Sequence, residues 1–590
     1  MVNKKAAVIY SMIVIFICFL PYIQPGLISG SDSPYHLYRI YSLADALKNG
    51  VFPVKVHPTM AYGYGYGTGF FYSDVLLYFP AILILLGVSL ATAYKCFALV
   101  IFIGLYSSMY FCMRKTSRSM EASLLAATLY VTSNVIIGGF YQDFRMGEMT
   151  GLIFMPIAVV GCYLFLKKEV NPIMMIIGFI GLLYTHAISG LLGAIICVFI
   201  LVFSIPEIIK KTSKIIYLIL SATLALLATA SYWLPMWQQF RAIRFKVSAP
   251  WTTEEQNVEG ISTNLGIRGI GLPLITVFII LFVFVIIISI FSKINRSAEP
   301  VEAVGSSNTD SSYEFGVFSA ILASCLIVVT SSYQFWHFLN SHGIHLIQFP
   351  NRMYGPITIL ICIAIAVFSD KVIYFCVSTF KTSSSISKRE PKVQGKHKHK
   401  AVTVTAVLTL VLTCSVLCSL YNYSDYFKSS TNDVINEVES GKIAGLGAGE
   451  EWLSLETDRS MLATPETAYD NEGNSVTGTK SGGDVSFTFV ADLSKQYYVV
   501  PFVFYRGYRV IDEAGNHYDV TSNNGTGLLQ VMMHGNDGNY SNKNMGTIKL
   551  TVSFEGTSIL KLSYFASIIG IIAVIIFGLY WKNRSTENVS

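Results

Sequence analysis

The stretch LITVFIILFVFVIIISIF, from Leu274 to Phe291, contains no charged residue and is apolar almost from end to end. Its length approaches the roughly 20 residues that a helix needs to cross a bilayer. In lipid, only helices and closed barrels satisfy their own backbone hydrogen bonds. Because the apolar residues are continuous rather than alternating, the stretch predicts a transmembrane helix and not a barrel strand.

Similar runs recur along the whole chain. Of its 590 residues, 53% are hydrophobic and 13% are charged, whereas soluble domains carry roughly 25% charged residues. We therefore predict a polytopic α-helical membrane protein with about twelve transmembrane helices. The net charge of +6 comes from basic residues scattered over short loops, which argues against a nucleic-acid partner. The predicted spans lie near residues 6–24, 93–112, 120–137, 150–166, 171–187, 189–206, 214–233, 271–292, 315–331, 353–369, 401–420 and 563–581.

The apolar segment 75–90 is not counted among these spans. If it does not cross, the basic loops from Lys4 and Lys5 to Lys582 and Arg584 all lie on one side, as the positive-inside rule requires. If it crosses, the middle loops move to the other side and the asymmetry is lost. We therefore predict a re-entrant or interfacial helix on the outer side. Both termini are then cytoplasmic in a multi-pass plasma-membrane protein.

The chain divides into a membrane part and an outer domain. Residues 1–421 form the transmembrane domain, and its first outer loop spans 25–92. Residues 422–562 are polar and contain the alternating stretches DVSFTFVA, QYYVVPFVFY and TIKLTVSFEG between turn-rich clusters. This pattern predicts an extracytoplasmic β-rich, sandwich-like domain, and its lack of cysteine favours a bacterial envelope. The last transmembrane helix and a cytoplasmic tail occupy 563–590.

The first outer loop begins with a cluster of polar residues. Asp32, His36 and Arg39 follow the first span at spacings that place them on one face of a helix. Pro34 fits the first turn of that helix. Asp32 itself has two interpretations, because an acidic residue at this position can also serve only as a helix cap.

Further along the same loop, Lys55 and His57 precede the run AYGYGYGTGFFY, which contains Tyr64 and Tyr66. Its glycines permit close backbone approach, and its tyrosines can stack on sugars. The alternative is an aromatic belt at the membrane interface, where tyrosine is enriched.

An acidic residue directly after the first span resembles the GT-C glycosyltransferase superfamily. The pattern D-x-x-x-H-x-x-R, followed by L-x-x-G-x-x-P, a GYG run and FFYSDVLLYFP, resembles more closely its bacterial YfhO-like branch. Relatives in that branch are also labelled 6-pyruvoyl-tetrahydropterin-synthase-related membrane proteins. The resemblance covers nearly the whole chain, because it extends to FRMGEMTGLIFMP, THAISGLL, IQFPNRM and the outer-domain segments VVPFVFYRGYRV, NNGTGLLQV and TVSFEGT.

The resemblance implies an inverting GT-C glycosyltransferase. Such an enzyme moves a sugar from a polyprenyl-phosphate donor to an envelope glycan or teichoic-acid-type acceptor on the outer face. Asp32 is then the base that deprotonates the acceptor hydroxyl. Arg39, Arg145 and Arg352 are the candidates for binding the donor phosphate. The residues His36, Asp143 and Glu148 are candidates for a divalent metal site or for supporting positions, and the other candidates are Lys55, His57, Tyr64, Tyr66, His186 and His345.

Two other functional classes stay open. A transporter or flippase for a lipid-linked glycan often shows internal repeats and broken mid-membrane helices, and no repeat relates the halves of this sequence. A non-catalytic envelope assembly protein would use the β-rich domain as its binding part. At the level of single residues, Arg145 and Arg352 could equally extend towards lipid head groups.

Overall fold

The computed structural model of the protein describes most of the chain. The described residues are 4–28, 30–117, 119–249, 252–266, 269–296, 307–345, 347–385, 417–418, 420–421, 424, 433–441, 444–481, 486–533 and 546–587. The predicted span at 401–420 lies almost wholly outside this set, and so does the start of the predicted outer domain.

Helices make up the first part of the chain and its end. The α-helices among the described residues are α1 Lys4–Phe19, α2 Ser33–Lys48, α3 Thr68–Phe71, α4 Tyr78–Leu85, α5 Leu90–Thr116, α6 Met120–Val131, α7 Asn134–Tyr141, α8 Met146–Lys168, α9 Ile173–Leu183, α10 Ala187–Phe203, α11 Ile205–Lys210, α12 Ser213–Ala228, α13 Ala230–Ala242, α14 Ile261–Leu265, α15 Leu272–Arg296, α16 Ser307–Thr330, α17 Tyr333–Ser341, α18 Tyr354–Ser385, α19 Asp433–Glu439 and α20 Ser558–Glu587. Single 3₁₀ turns lie at Leu20–Ile23, Lys246–Ser248, Glu254–Asn257, Pro350–Met353 and Arg459–Met461.

The protein is a polytopic helical membrane protein, and its described residues contain fewer full-length spans than the sequence predicts. Within the described residues, eight helical segments are long and apolar enough to cross a bilayer. The pair α12 and α13, bent by 75°, would make a ninth. Of the twelve predicted spans, those at 171–187 and 189–206 form helices too short to meet this criterion, and the one at 401–420 lies almost wholly outside the described residues.

The shortfall has a local cause in the sequence around His186. The predicted spans at 171–187 and 189–206 form α9 and α10, of 11 and 17 residues. At 1.5 Å per residue, these helices are about 16 and 25 Å long. Polar residues at Thr185 and His186 interrupt the apolar run, and His186 caps the start of α10 by accepting from the Ser189 N–H.

The membrane helices have two chemically different ends. The 23-residue helix α8 runs from Met146, next to Arg145, to Lys167 and Lys168. At its far end, Lys167 pairs with Glu207 at 2.9 Å, and other lysines of the short loops gather there. The near end of α8 packs beside the starts of α10 and α18, where the predicted site residues lie. This separation is what the predicted topology requires, although the orientation in the membrane stays a prediction.

The segment 75–90 does not form a long helix. Its helical part, α4, has 8 residues, which corresponds to about 12 Å against the roughly 30 Å of the hydrocarbon core. Gly87, with a φ of +87°, ends the segment before α5 begins. The helix α4 packs against α2 and α5. Its length agrees with the prediction that this segment does not cross.

The β-rich region consists of two antiparallel sheets, as the alternating stretches predict. Its strands are β1 Thr467–Asp470, β2 Ser475–Thr477, β3 Thr479–Ser481, β4 Ser486–Asp492, β5 Tyr497–Val503, β6 Tyr508–Asp512, β7 His517–Tyr518, β8 Val520–Ser522, β9 Leu528–Met532 and β10 Thr547–Phe554. One sheet has the order β2-β1-β5-β9-β8 and the other β3-β4-β10-β6-β7. In β4, the alternate residues Phe487, Phe489 and Ala491 are buried, which gives that strand one core-facing side.

The sheets are docked on the glycine–tyrosine run of the first outer loop. The Val503 N–H donates to the Tyr64 carbonyl at 2.9 Å. The rings of Phe71 and Trp452 stack with their centroids 4.5 Å apart. The outer domain and the first loop therefore form one packed unit above the near end of the helices.

Candidate active site

The site begins at the start of α2, where the chain approaches the loop before α8. Gly30 permits this approach, because a Cβ at that position would lie 2.5 Å from the Gln142 carbonyl oxygen. The Asp32 N–H then donates to the Asp143 carbonyl at 3.0 Å. Next to Asp143, Phe144 is held at a φ of +62°. Such strain in a non-glycine residue often accompanies a functional site.

The Asp32 side chain does not cap α2. Asp32 occupies the N-cap position, yet its carboxylate makes no capping hydrogen bond. The side chain is half-buried. Burial and the negative charge of Asp143 raise the pKa of Asp32 to about 6, although Arg145 and Arg352 act in the opposite direction. The helix-cap interpretation is thus not supported, and a carboxylate with this pKa is suited to accept a proton near neutral pH.

Arg145 lies between two carboxylates. Its Nε is 3.0 Å from Asp143 Oδ2, and its Nη1 donates to Glu148 Oε2 at 2.9 Å. Glu148 lies in the first turn of α8, where the helix dipole favours an anion. Its other oxygen, Oε1, is buried and has no hydrogen-bond partner among the described residues. Burial, together with the charge of Glu148, raises the pKa of Asp143 despite the pairing with Arg145.

Arg352 is the second arginine of the site. It lies in the turn Pro350–Met353 that leads into α18, and its guanidinium carbon is 5.6 Å from the centre of the Phe349 ring. Its Nη1 is buried, and no described residue accepts a hydrogen bond from it. A buried charged donor without a partner is costly. This nitrogen is therefore a position where an anionic ligand would be stabilised.

His36 lies on the inner side of α2. Burial, together with the charge of Arg39, lowers the pKa of His36 to about 3, so its ring is neutral at ordinary pH. Its Nδ1 has no hydrogen-bond partner among the described residues. A cavity of about 20 Å³ beside it, also lined by Tyr72 and Gly147, is large enough for one water molecule. Gly147 is required there, because a Cβ would overlap the Tyr72 hydroxyl.

His186 completes this side of the site. Its Nδ1 lies 2.8 Å from Ser189 Oγ and also accepts from the Ser189 N–H. Its ring centroid is 6.0 Å from that of Tyr72. The structure thus brings together seven of the residues that the sequence indicates, namely Asp32, His36, Asp143, Arg145, Glu148, His186 and Arg352.

Arg39 belongs to a fully buried cluster next to His36. Its Nε donates to Asp74 Oδ1 at 2.8 Å, and His57 Nε2 lies 2.9 Å from the other oxygen of Asp74. Although burial raises it, the pKa of Asp74 is lowered to about 2 by the charges of Arg39 and His57. Arg39 also donates to the carbonyls of Tyr72 and Ser73. These contacts stabilise the first outer loop and occupy donors of Arg39 with protein partners, so its expected phosphate-binding role stays a prediction.

The remaining candidates also hold the structure together. Lys55 Nζ donates to the carbonyls of Gly69 and Ser231. Burial lowers the pKa of Lys55 to about 8. The hydroxyl of Tyr66 accepts from the Trp452 N–H at 3.0 Å.

Tyr64 and His345 have similar supporting positions. The Tyr64 hydroxyl accepts from the Thr464 N–H at 3.3 Å, which adds to the docking of the outer domain. His345 Nδ1 lies 3.1 Å from the buried carboxylate of Glu254, in the loop between α13 and α14. Neither residue contacts the cluster around Asp32 in the described hydrogen bonds.

Two acidic residues of this region are missing from the sequence-based set. Asp74 stands in the quoted FFYSDVLLYFP segment, but nothing in the spacing pairs it with Arg39. Glu451 comes from the segment before β1, and its negative charge contributes to the raised pKa values of Asp32 and Tyr35. In the sequence, the pair of adjacent glutamates in GAGEEWL was the signal that could have drawn attention to Glu451.

The side chains do not fit a metal centre. Among the described residues, no group of three or more His, Cys, Asp or Glu residues is arranged to hold a metal ion. The carboxylates of Asp143 and Glu148 face Arg145, and the His36 ring packs against Tyr72 and Phe144.

Comparison with known proteins gives only distant matches. No protein-family model matches the sequence. A protein of Lactococcus lactis subsp. cremoris (strain MG1363), described as uncharacterized, is 25% identical over 322 residues, which are 50% of this chain and 51% of that protein. The chain therefore spans about half the length of this relative.

Two solved structures of the oligosaccharyltransferase of Archaeoglobus fulgidus resemble this chain weakly. The apo form has a TM-score of 0.40 and 13% identity, covering 77% of this chain and 61% of that protein. The complex of archaeal oligosaccharyltransferase AglB with an inhibitory peptide and a dolichol-phosphate has a TM-score of 0.33 and 13% identity, with 76% and 61% covered. At these scores, neither match assigns this chain to a family.

Proposed function

We propose that the protein is a membrane glycosyltransferase that uses a polyprenyl-phosphate-linked sugar and acts on the outer face of the plasma membrane. One observation carries the proposal. An uncapped carboxylate, Asp32, has a pKa of about 6 and lies in the field of Arg145 and of Arg352, whose buried Nη1 has no partner among the described residues. A base in the field of a cation that has an unpaired donor is the combination that transfer from a phosphate leaving group needs.

The proposed reaction is a single displacement at the anomeric carbon. Asp32 takes the proton of the acceptor hydroxyl, whose oxygen forms the new bond to the sugar. The bond between the anomeric carbon and the phosphate oxygen breaks on the opposite side, so the configuration inverts. Polyprenyl phosphate leaves with the bonding electron pair, and Arg352 stabilises its charge. Arg145, held by Asp143 and Glu148, contributes its field to the same site.

The position of the site supports a lipid-linked donor. Arg145 and Arg352 lie at the starts of α8 and α18, two helices long enough to cross the membrane. A phosphate attached to a lipid chain would lie at this depth, at the end of the helices. The acceptor class proposed here is an envelope glycan or a teichoic-acid-type polymer.

Reconstitution of the purified full chain in lipid nanodiscs tests the proposal. The assay supplies polyprenyl-phosphate-linked radioactive sugars with envelope extract as acceptor. We expect transfer by the wild type, a loss of at least about a hundredfold in Asp32→Asn, and normal transfer in Asp519→Asn. Asp519 is an exposed aspartate of the outer domain and serves as the matched control. Full activity of Asp32→Asn would remove Asp32 as the base.

The same preparation separates the two alternative classes. A flippase would move the lipid-linked sugar across a vesicle bilayer without forming a new glycosidic bond. A non-catalytic assembly protein would neither transfer the sugar nor bind a non-hydrolysable polyprenyl-phosphonate analogue of the donor. Either outcome for the wild-type protein would overturn the glycosyltransferase assignment.

A further inference from the structure

A large open cavity lies between α2 and the outer domain. Its volume is about 970 Å³, at the upper end of the range for small-molecule sites. Tyr38 and Tyr41 line it from α2, and Tyr62 lines it from the glycine–tyrosine run. Arg459 and Lys480 line it from the outer domain. The cavity thus combines aromatic rings with hydrogen-bonding groups from three parts of the chain.

This cavity is separate from the cluster around Asp32, although the same helix serves both. At 100° per residue, Tyr38 and Tyr41 lie on the opposite face of α2 from His36 and Arg39. Tyr41 is also about 13 Å from Asp32 along the helix axis. None of the residues in the Asp32 cluster lines the cavity.

The backbone that presents Tyr62 is strained. Ala61 and Tyr62 have φ values of +56° and +55°, a conformation that residues with a side chain rarely adopt. The Ala61 N–H donates to the Ala444 carbonyl at 2.6 Å, which ties this turn to the outer domain. Arg459 Nη2 donates to the Tyr62 hydroxyl at 3.1 Å. Strain of this kind is retained where the surrounding structure fixes a side chain for use.

The charges around the cavity are balanced. Arg459 and Lys480 are matched by Glu439 and Glu466. Lys480 already donates to the carbonyls of Gly63 and Pro501. An anionic polymer would therefore gain little from Lys480 and would meet the two carboxylates, and a lipid chain would bury charged groups. Tyrosine rings, together with side chains that donate hydrogen bonds and side chains that accept them, suit a neutral, polyhydroxylated ligand. Rings of this type stack on the apolar faces of sugars and hydrogen-bond to their hydroxyls.

We propose that the cavity lined by Tyr41, Tyr62 and Arg459 binds a neutral oligosaccharide at a distance from the reacting centre. The assignment of this ligand as the acceptor chain rests on the proposed function, whereas the binding itself does not. In the glycosyltransferase, the cavity holds the body of the acceptor glycan while its terminal hydroxyl reaches Asp32 around α2.

Binding is measured without any donor, on the full chain in detergent, by saturation-transfer NMR and calorimetry. The probes are three neutral tetrasaccharides: maltotetraose, chitotetraose and a β-galactotetraose. We expect at least one to bind the wild type, about tenfold weaker binding in Tyr62→Ala and Arg459→Ala, and unchanged binding in Tyr333→Ala. Tyr333 is an exposed tyrosine of α17 and serves as the matched control.

Asp32→Asn separates this proposal from the proposed function. It should bind the probes as the wild type does, even where sugar transfer is lost. Tyr62→Phe keeps the ring and should retain most of the affinity, which distinguishes lost stacking from misfolding. Absence of binding by all three probes, or equal affinity in Tyr62→Ala, would overturn the proposal. Stronger binding of a glycerol-phosphate oligomer than of the neutral probes would overturn the ligand class.

Discussion

Asp32 and Arg352 are the two side chains of the cluster to which we assign the chemistry. Asp32 has a half-buried carboxylate without a capping bond, and Arg352 has a buried N–H without a partner among the described residues. Arg39, by contrast, donates hydrogen bonds to Asp74 and to two backbone carbonyls. A buried polar group without a partner needs an explanation, such as a ligand or an ordered water, whereas the donors of Arg39 already have protein partners. This difference is why the chemistry is assigned to Asp32 and Arg352.

The raised pKa of Asp32 predicts a pH dependence of sugar transfer. Asp32 accepts a proton only when ionised, so kcat/KM should rise with pH and level off above about 6. Asp143→Asn removes a neighbouring negative charge and leaves Arg145 less neutralised. Both effects lower the pKa of Asp32, so the rising limb should move to lower pH. A limb that stays in place or moves to higher pH would contradict the electrostatic account.

Arg352→Ala should impair the departure of the lipid phosphate. We expect kcat to fall by about 10²–10³, the effect typical of removing one donor to a developing negative charge. Arg352→Lys should recover part of the loss, because it restores the charge without the fork of donors. Arg241→Ala, which removes an exposed arginine at the end of α13, is the control and should leave the rate unchanged. Steady-state kinetics with the lipid-linked donor measure all three variants.

At the scale of elements, the first outer loop is held in place by the buried trio of Arg39, His57 and Asp74. The trio connects α2 to the segment before α4, and α2 carries Asp32 at its start. Removal of one member of a buried ion pair leaves an uncompensated charge. The trio therefore acts on the site through the position of α2 and not through contact with a substrate.

Asp74→Ala should destabilise the protein by about 3–5 kcal/mol. Its low folded pKa, about 2, makes a stabilising contribution that is complete above the unfolded value near 4 and is lost as pH falls towards 2. Thermal unfolding in detergent should show a lower Tm for the variant at pH 7. The double variant Arg39→Met with Asp74→Leu should lose less, because it leaves no charge unpaired. Equal losses in both variants would contradict the ion-pair account.

The sequence predicts an element correctly where a single local pattern determines its structure. The long apolar run predicts the helix α15, and the alternation of apolar and polar residues predicts the strand β4. Both elements form as predicted. The break between α9 and α10 comes from the two polar residues Thr185 and His186. A hydropathy value averaged over a long window does not show so short a break. Arg145 and Arg352 were predictable because they stand at the ends of spans. Asp74 and Glu451 were not, because only the tertiary fold brings them towards Arg39 and Asp32.

At the scale of the whole molecule, the two ends of the helical bundle differ in charge and in chemistry. The lysines of the short loops pair with Glu169 and Glu207 at one end, and the Asp32 cluster lies with the outer domain at the other. A protein with this division functions only if the membrane holds it in one orientation. From the positive-inside rule, we expect the lysine end to lie in the cytoplasm.

Labelling of single cysteines in whole cells checks this orientation. In a background without native cysteines, Asp519→Cys in the outer domain should react with a membrane-impermeant thiol reagent. Lys211→Cys, at the lysine end, should react only after the cells are permeabilised. Both side chains are exposed, so a difference in labelling reports their side of the membrane. The reverse pattern would overturn the proposed topology and place the Asp32 cluster in the cytoplasm.

The helix α2 carries Asp32 at its first turn and Tyr41 on its far face, about 13 Å further along its axis. Because α2 is rigid, it fixes the distance that an acceptor must span to reach both Asp32 and the cavity lined by Tyr41. An acceptor too short to span that distance reaches only one of them and gains no anchoring from the other. The protein would then select acceptors by their length before it selects them by the chemistry of their terminal sugar.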